Sequence, residues 1–123
     1  LNNTRYSPTT LSYTRHLTQT AFASDVEEIA CSILPCMWGY SEIGKMLYDE
    51  GPPVDKPLYA QWIKMYSSLE FAKLADWLRT FIDCTALCKG NADLKRMEEA
   101  FFISARYEYL FWDMSYNEES WPV

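Results

Sequence analysis

Apolar residues return every three or four positions along most of this 123-residue chain, the period of helices with one face turned inward. The pattern predicts five helical segments. The first runs from about Pro8 to Ala23, with Leu11, Thr14, Leu17 and Ala21 at helical spacing and Thr9 or Thr10 as its cap. Ser24-Asp25-Val26-Glu27 has the form of a capping box, Ser to Glu at i+3. It opens a second helix from about Asp25 to Tyr48, with Val26, Ile29, Ile33, Met37, Tyr40 and Leu47 as its inward stripe. Pro35 falls inside that helix, where its ring removes a hydrogen bond and crowds the preceding turn, so a kink is expected there. Gly51-Pro52-Pro53-Val54-Asp55-Lys56-Pro57 is a clear break. A short third helix, about Leu58 to Tyr66, places Tyr59, Trp62, Ile63 and Tyr66 on one face. Ser67-Ser68 restarts the chain into a fourth helix reaching about Lys89. Its core face is Phe71, Leu74, Ala75, Leu78, Phe81 and Ile82, opposite Lys73, Asp76, Arg79 and Asp83. Gly90 ends it and Asn91 caps the last helix, about Ala92 to Ser115. No strand pattern or repeat interrupts this series. The expected class is all-α, a helical bundle in which residues 1–123 form a single helical unit with short connections.

Composition narrows the functions. The chain is 49% apolar and 16% aromatic, which excludes a disordered tail. Its net charge of −6, with no basic stripe beside the aromatics, argues against nucleic-acid binding. No run approaches the roughly 18 apolar residues of a membrane span. Leu1-Asn2-Asn3-Thr4-Arg5 has no signal-peptide character, so a cytoplasmic location is expected. A start at Leu and a polar lead-in running straight into a helix suggest a cleaved, partial or trimmed chain. The cysteines at 31, 36, 84 and 88 match no common zinc spacing. Cys84 and Cys88 share a helix face, which leaves a disulfide or half a metal site open beside the favoured reading of packed, reduced thiols.

Two residues carry candidate chemistry. Cys36 follows Pro35, and Tyr40 lies one turn on along the same face. A thiol beside a kink with a phenol next to it suits a nucleophile; the competing reading is a small buried apolar residue. On the last helix the face 101, 104, 105, 108, 111, 112, 115 reads Phe, Ser, Ala, Glu, Phe, Trp, Ser, so Glu108 is its only charge. Burying a carboxylate can raise its pKa by about 3 to 5 units, on the order of 4 to 7 kcal/mol. Such a position calls for a partner or a purpose; the alternative is a rim carboxylate, or one bonded by a buried Tyr or Trp. A carboxyl facing the thiol would complete an acid–base and nucleophile pair. His16, the one histidine, sits between Arg15 and Leu17 and reads as an exposed helix residue. Asp49-Glu50 and Glu98-Glu99 read as solvated faces.

Four words of sequence carry a resemblance. They are Tyr13-Thr14, then Leu34-Pro35-Cys36 with Gly39-Tyr40, then Trp62-Ile63-Lys64-Met65-Tyr66-Ser67-Ser68 with Glu70-Phe71, and last Tyr107-Glu108-Tyr109-Leu110-Phe111-Trp112-Asp113-Met114. In order and spacing they resemble the TenA family, thiaminase II, among the haem-oxygenase-like all-α proteins. Family members are nearly twice as long, and this chain looks like their C-terminal half. Their N-terminal half supplies an aspartate and an aromatic wall that no position here matches. An isolated copy is therefore expected to have an incomplete pocket and an exposed apolar face. The resemblance implies hydrolysis of an aminopyrimidine, either thiamin or an aminomethyl-aminopyrimidine, to a hydroxymethyl pyrimidine for thiamin salvage. Carried over by position, Cys36 is the nucleophile and Glu108 the acid–base. Tyr40 resembles the phenol next to the thiol, Tyr66 would orient Glu108 or bond the substrate, and Tyr13 and Phe111 would line the pocket. The resemblance implies no cofactor and no metal, and a homotetramer or association with the missing half. Two other readings compete. One is a PqqC-like cofactor-independent oxidase of the same fold, against which a single histidine argues. The other is a non-catalytic helical module that docks a partner through its apolar face.

Overall fold

A computed structural model describes residues 5–123; the polar lead-in of residues 1–4 lies outside the described residues. Five helices follow one another: α1 (Pro8–Ala23), α2 (Val26–Glu50), α3 (Pro57–Tyr66), α4 (Leu69–Ala86) and α5 (Asn91–Tyr116). Among the described residues there is no strand. The class is all-α, as the helical periodicity predicts.

Local chemistry sets the helix ends. Ser7, rather than Thr9 or Thr10, caps α1, its hydroxyl accepting the Thr10 N–H at 3.1 Å. Pro8 explains the shift, because a proline lacking an N–H suits the first helical position and pushes the cap one residue back. Ser24 closes α1, donating its N–H to the Thr20 carbonyl. α2 continues on both sides of Pro35. α4 stops at Ala86, earlier than the expected Lys89, because Cys88 and Lys89 donate to carbonyls three residues back, in the tightened turn that finishes many helices. Gly90, not Asn91, precedes α5, and its N–H is taken by the Asp93 carboxylate at 3.2 Å.

The chain divides into two compact units, one formed by the residues up to Ile33 together with Gly90–Val123, the other by Leu34–Lys89. The boundaries fall within α2, next to Pro35, and just ahead of α5.

In the first unit α1 and α5 pack antiparallel, Tyr13 pairing with Glu108 and His16 with Ser104. Thr20, Ala30, Cys31, Ser32, Met97, Ala100 and Ser104 are its buried residues. Arg96 of α5 ties Glu28 at 2.8 Å and Asp93 at 2.6 Å. The C-terminal tail returns to the start of α1. There Glu119 accepts the Thr9 N–H at 3.0 Å, and the Trp121 indole donates to the Tyr6 carbonyl at 2.7 Å.

In the second unit Leu34, Pro35, Ser41, Gly44, Ile63 and Ala75 are buried. α3 crosses α2 so closely at Gly44 that a Cβ there would lie 2.6 Å from the Tyr66 carbonyl carbon. Arg79 of α4 sits over the Trp38 ring of α2, 4.4 Å from its centroid, a cation–π contact.

The inward stripe expected for α2 is displaced. Val26 is 59% and Ile33 42% exposed and Ile29, Met37, Tyr40 and Leu47 are half-buried, whereas Ala30, Leu34, Ser41 and Gly44 form the buried line. That line lies roughly 60° around the helix from the expected one at 100° per residue. Leu34 apart, the line is made of small residues, and at Gly44 the missing side chain lets α3 approach. On α4, Ala75 is buried and Leu74 is 49% exposed. Cys84 and Cys88 are exposed free thiols, not packed ones. Cys84 faces the wet side with Asp76 and Thr80, and Cys88 falls beyond the helix end.

Candidate active site

The candidate carboxyl, Glu108, belongs to the first unit. The buried line of α5, Met97, Ala100 and Ser104, continues through Glu108 and Phe111, both half-buried. Glu108 therefore stands where the helix faces inward, as its lone charge among Phe, Ser and Ala suggested. It is not left to the apolar surroundings: the Tyr13 phenol donates to Glu108 Oε1 at 2.6 Å. That length is at the short end of the O–H···O range. Tyr13 also stacks on Tyr107, centroids 5.2 Å apart and planes 11° from parallel. The phenol that meets Glu108 is thus the one the family resemblance placed in the pocket lining.

His16, expected to be exposed, is half-buried. Its Nε2 hydrogen-bonds Ser104 Oγ at 3.0 Å, and its ring lies 5.7 Å from that of Tyr107. Burial pulls its pKa below the usual 6.5. The overlooked signal is the spacing of Tyr13, His16 and the buried Thr20, which share one face of α1.

The candidate thiol, Cys36, belongs to the second unit. Cys36 is half-buried on α2, one turn before Tyr40. Tyr40 opens an aromatic cluster. Its ring packs on Tyr66 (5.0 Å) and Trp62 (5.8 Å), Trp62 packs on Tyr66 (4.5 Å), and Tyr66 meets Phe71 edge-on (4.8 Å). Such rings can wall a flat heterocycle. Cys31, five residues earlier, is a contrasting thiol. Burial, with Glu28 and Glu27 adding repulsion, pushes its pKa up to about 11, so it stays protonated and inert at neutral pH. Among the described residues no cluster of three His, Cys, Asp or Glu side chains is placed to hold a metal ion. No described helix is long and apolar enough to cross a membrane.

A family model described as the TENA/THI-4/PQQC family matches residues 1–118. This chain belongs to that family. Within it, the chain is 39% identical over 113 residues to the aminopyrimidine aminohydrolase of Halalkalibacterium halodurans, covering 92% of this chain and 50% of the relative. It is 34% identical over 122 residues to the aminopyrimidine aminohydrolase of Bacillus subtilis, covering 94% and 48%. Among solved structures it matches a TenA homologue protein from P. horikoshii OT3 with a TM-score of 0.79 and 27% identity, covering 94% of this chain and 53% of the other. The chain thus spans about half the length of the curated relatives it matches.

Proposed function

We propose that this chain carries the nucleophile and the acid–base of an aminopyrimidine aminohydrolase of the thiaminase II type. The observation that carries the reading is Glu108, an inward-facing carboxyl gripped by the Tyr13 phenol at 2.6 Å. The names of its relatives support it. In this reading the Cys36 sulfur adds to an electron-poor carbon of the pyrimidine, and the thiol proton passes to Glu108 or to the ring. The electron pair then expels the leaving group from the exocyclic methylene, either the amine, which Glu108 protonates so that it departs as ammonia, or in thiamin the thiazole, which departs neutral without that proton. Glu108 next takes a proton from water as the hydroxyl adds to the methylene. Loss of the Cys36 sulfur restores the aromatic ring and gives the hydroxymethyl pyrimidine. Aminomethyl-aminopyrimidine or thiamin is the substrate, and the product feeds thiamin salvage in the cytoplasm. Tyr40 bonds near the thiol, Tyr66 binds the ring or orients Glu108, and Phe111 lines the pocket. The reaction proceeds without metal or coenzyme. The chain corresponds to the C-terminal half of a larger all-α domain, and the complete pocket forms in a homotetramer or with the N-terminal half. The length of the relatives and the exposed Leu58, Tyr59, Phe102 and Tyr109 support that arrangement.

The test is Cys36→Ser in the complete protein. Turnover of aminomethyl-aminopyrimidine should vanish while the pyrimidine still binds. Undiminished ammonia release in that variant excludes Cys36 as the nucleophile.

A further inference from the structure

Tyr13 and His16 are three residues apart on α1, and Ser104, Tyr107 and Glu108 lie at i, i+3 and i+4 on α5. Each set occupies one helix face. The faces meet at two levels one turn apart: Tyr13 Oη to Glu108 Oε1 at 2.6 Å, and His16 Nε2 to Ser104 Oγ at 3.0 Å. Between them the Tyr107 ring lies against both Tyr13 (5.2 Å) and His16 (5.7 Å). The two levels are not equally replaceable. Ser104 is 0% exposed, so no solvent takes over its hydroxyl if the imidazole is removed, and a buried hydroxyl without a partner is costly. Burial keeps His16 neutral at neutral pH, so it contributes a ring and a hydrogen bond rather than a charge.

We infer that His16 is a positioning residue for the acid–base. Anchored by Ser104, it holds the Tyr107 ring against which the Tyr13 phenol lies, and thereby aims that phenol at Glu108. The inference rests on the reading of Glu108 as acid–base given above. A phenol hydrogen-bonded to a carboxylate can still turn about its side-chain torsions. The second level, one turn away, fixes the register of α1 on α5 and leaves one phenol orientation. Misplacement of a catalytic group by about 1 Å can cost on the order of 100-fold in rate.

The experiment replaces His16 in the complete protein and follows both turnover and the Tyr13 phenol. His16→Phe keeps a ring on Tyr107 but drops the nitrogen. It should lower kcat for ammonia release by roughly 10- to 100-fold with KM nearly unchanged. Tyr13→Phe should do the same, and the double variant should fall no further than Tyr13→Phe alone, because the two residues act in series. His16→Gln, which can still bond Ser104, should recover part of the loss. Tyrosine labelled at Cζ reports the phenol by NMR, the Tyr13 signal being the one lost in Tyr13→Phe. In His16→Phe it should move toward the free-phenol position. If His16→Phe does not fold, Ser104→Ala removes the same bond with a smaller side chain and must give the same shift. An unmoved Tyr13 signal and unchanged kcat in folded protein overturn the positioning role, as do multiplicative losses in the double variant. A shifted Tyr13 signal in a protein with no wild-type turnover overturns the hydrolase reading and leaves the positioning intact.

Discussion

Replacing Gly44 by Ala is a sharp test of how α2 and α3 pack beside the Tyr40–Trp62–Tyr66 cluster. Gly44 lies on the buried line of α2 where the end of α3 crosses it. A Cβ there would sit 2.6 Å from the Tyr66 carbonyl carbon, 2.7 Å from Tyr66 Cβ and 2.8 Å from Ser67 N. Carbon atoms pack best at about 3.5 to 4.0 Å, so α3 must retreat by about 1 Å. The obstructing atoms are mostly backbone and cannot turn aside as a flexible side chain can. Overpacking of this kind costs about 1 to 3 kcal/mol, and the upper part of that range applies here. Glycine to alanine inside a helix returns roughly 1 kcal/mol, leaving a net loss of about 1 to 2 kcal/mol. Gly39 on the same helix is the control, because a Cβ there meets nothing within 4 Å. Gly39→Ala should therefore stabilise by roughly 0.5 to 1 kcal/mol. Urea unfolding measures both, and near-ultraviolet circular dichroism follows the Tyr40–Trp62–Tyr66 cluster, which should weaken only in Gly44→Ala. If Gly44→Ala matches or exceeds the wild type in stability, the close crossing of α2 and α3 is wrong.

Three further outcomes follow from single groups. The Cys31 pKa is raised from 9.0 to about 11, so the folded state keeps a proton that the unfolded state releases. Its contribution is whole below pH 9 and is lost as pH rises to 11; melting temperatures should fall more steeply over that window in wild type than in Cys31→Ala, and parallel curves would refute this. Ser41 Oγ is buried with no hydrogen-bond partner among the described residues, so Ser41→Ala should raise the urea midpoint, by roughly 0.5 to 2 kcal/mol in stability; a lower midpoint would mean the hydroxyl has a partner. Glu119 has its pKa lowered below 4.5, first because it accepts the Thr9 N–H. Its hold on α1 is present above that value and lost as acid protonates it, so Trp121 emission should change on acidification before global unfolding, and Glu119→Gln should abolish that early step.

Much of the fold was legible because its signals are local. Pro8, Pro57 and Gly90 mark helix ends whatever the tertiary structure does. Glu108 stood out because one charge among Phe, Ser and Ala repeats at helical spacing. The buried line of α2 was not legible from hydrophobicity, because Ala30, Ser41 and Gly44 on it are small or polar while the larger Val26 and Ile33 are exposed. The same small residues at helical spacing were the available clue. His16 was misread from its neighbours Arg15 and Leu17, which lie on other faces of the helix, when Tyr13 and Thr20 on its own face were the relevant context. The bond from Tyr13 to Glu108 joins residues 95 apart, and no periodicity within either helix specifies its partner.

The most direct test of the proposed chemistry is a crystal structure of the complete protein with the hydroxymethyl pyrimidine product bound. The expected result is one ring that has Cys36 Sγ in van der Waals contact with a ring carbon and a ring or amino nitrogen within hydrogen-bond reach, about 3 Å, of a Glu108 carboxylate still bonded to Tyr13. A ring bound away from either group, or a thiol and carboxylate directed to separate places, would contradict it.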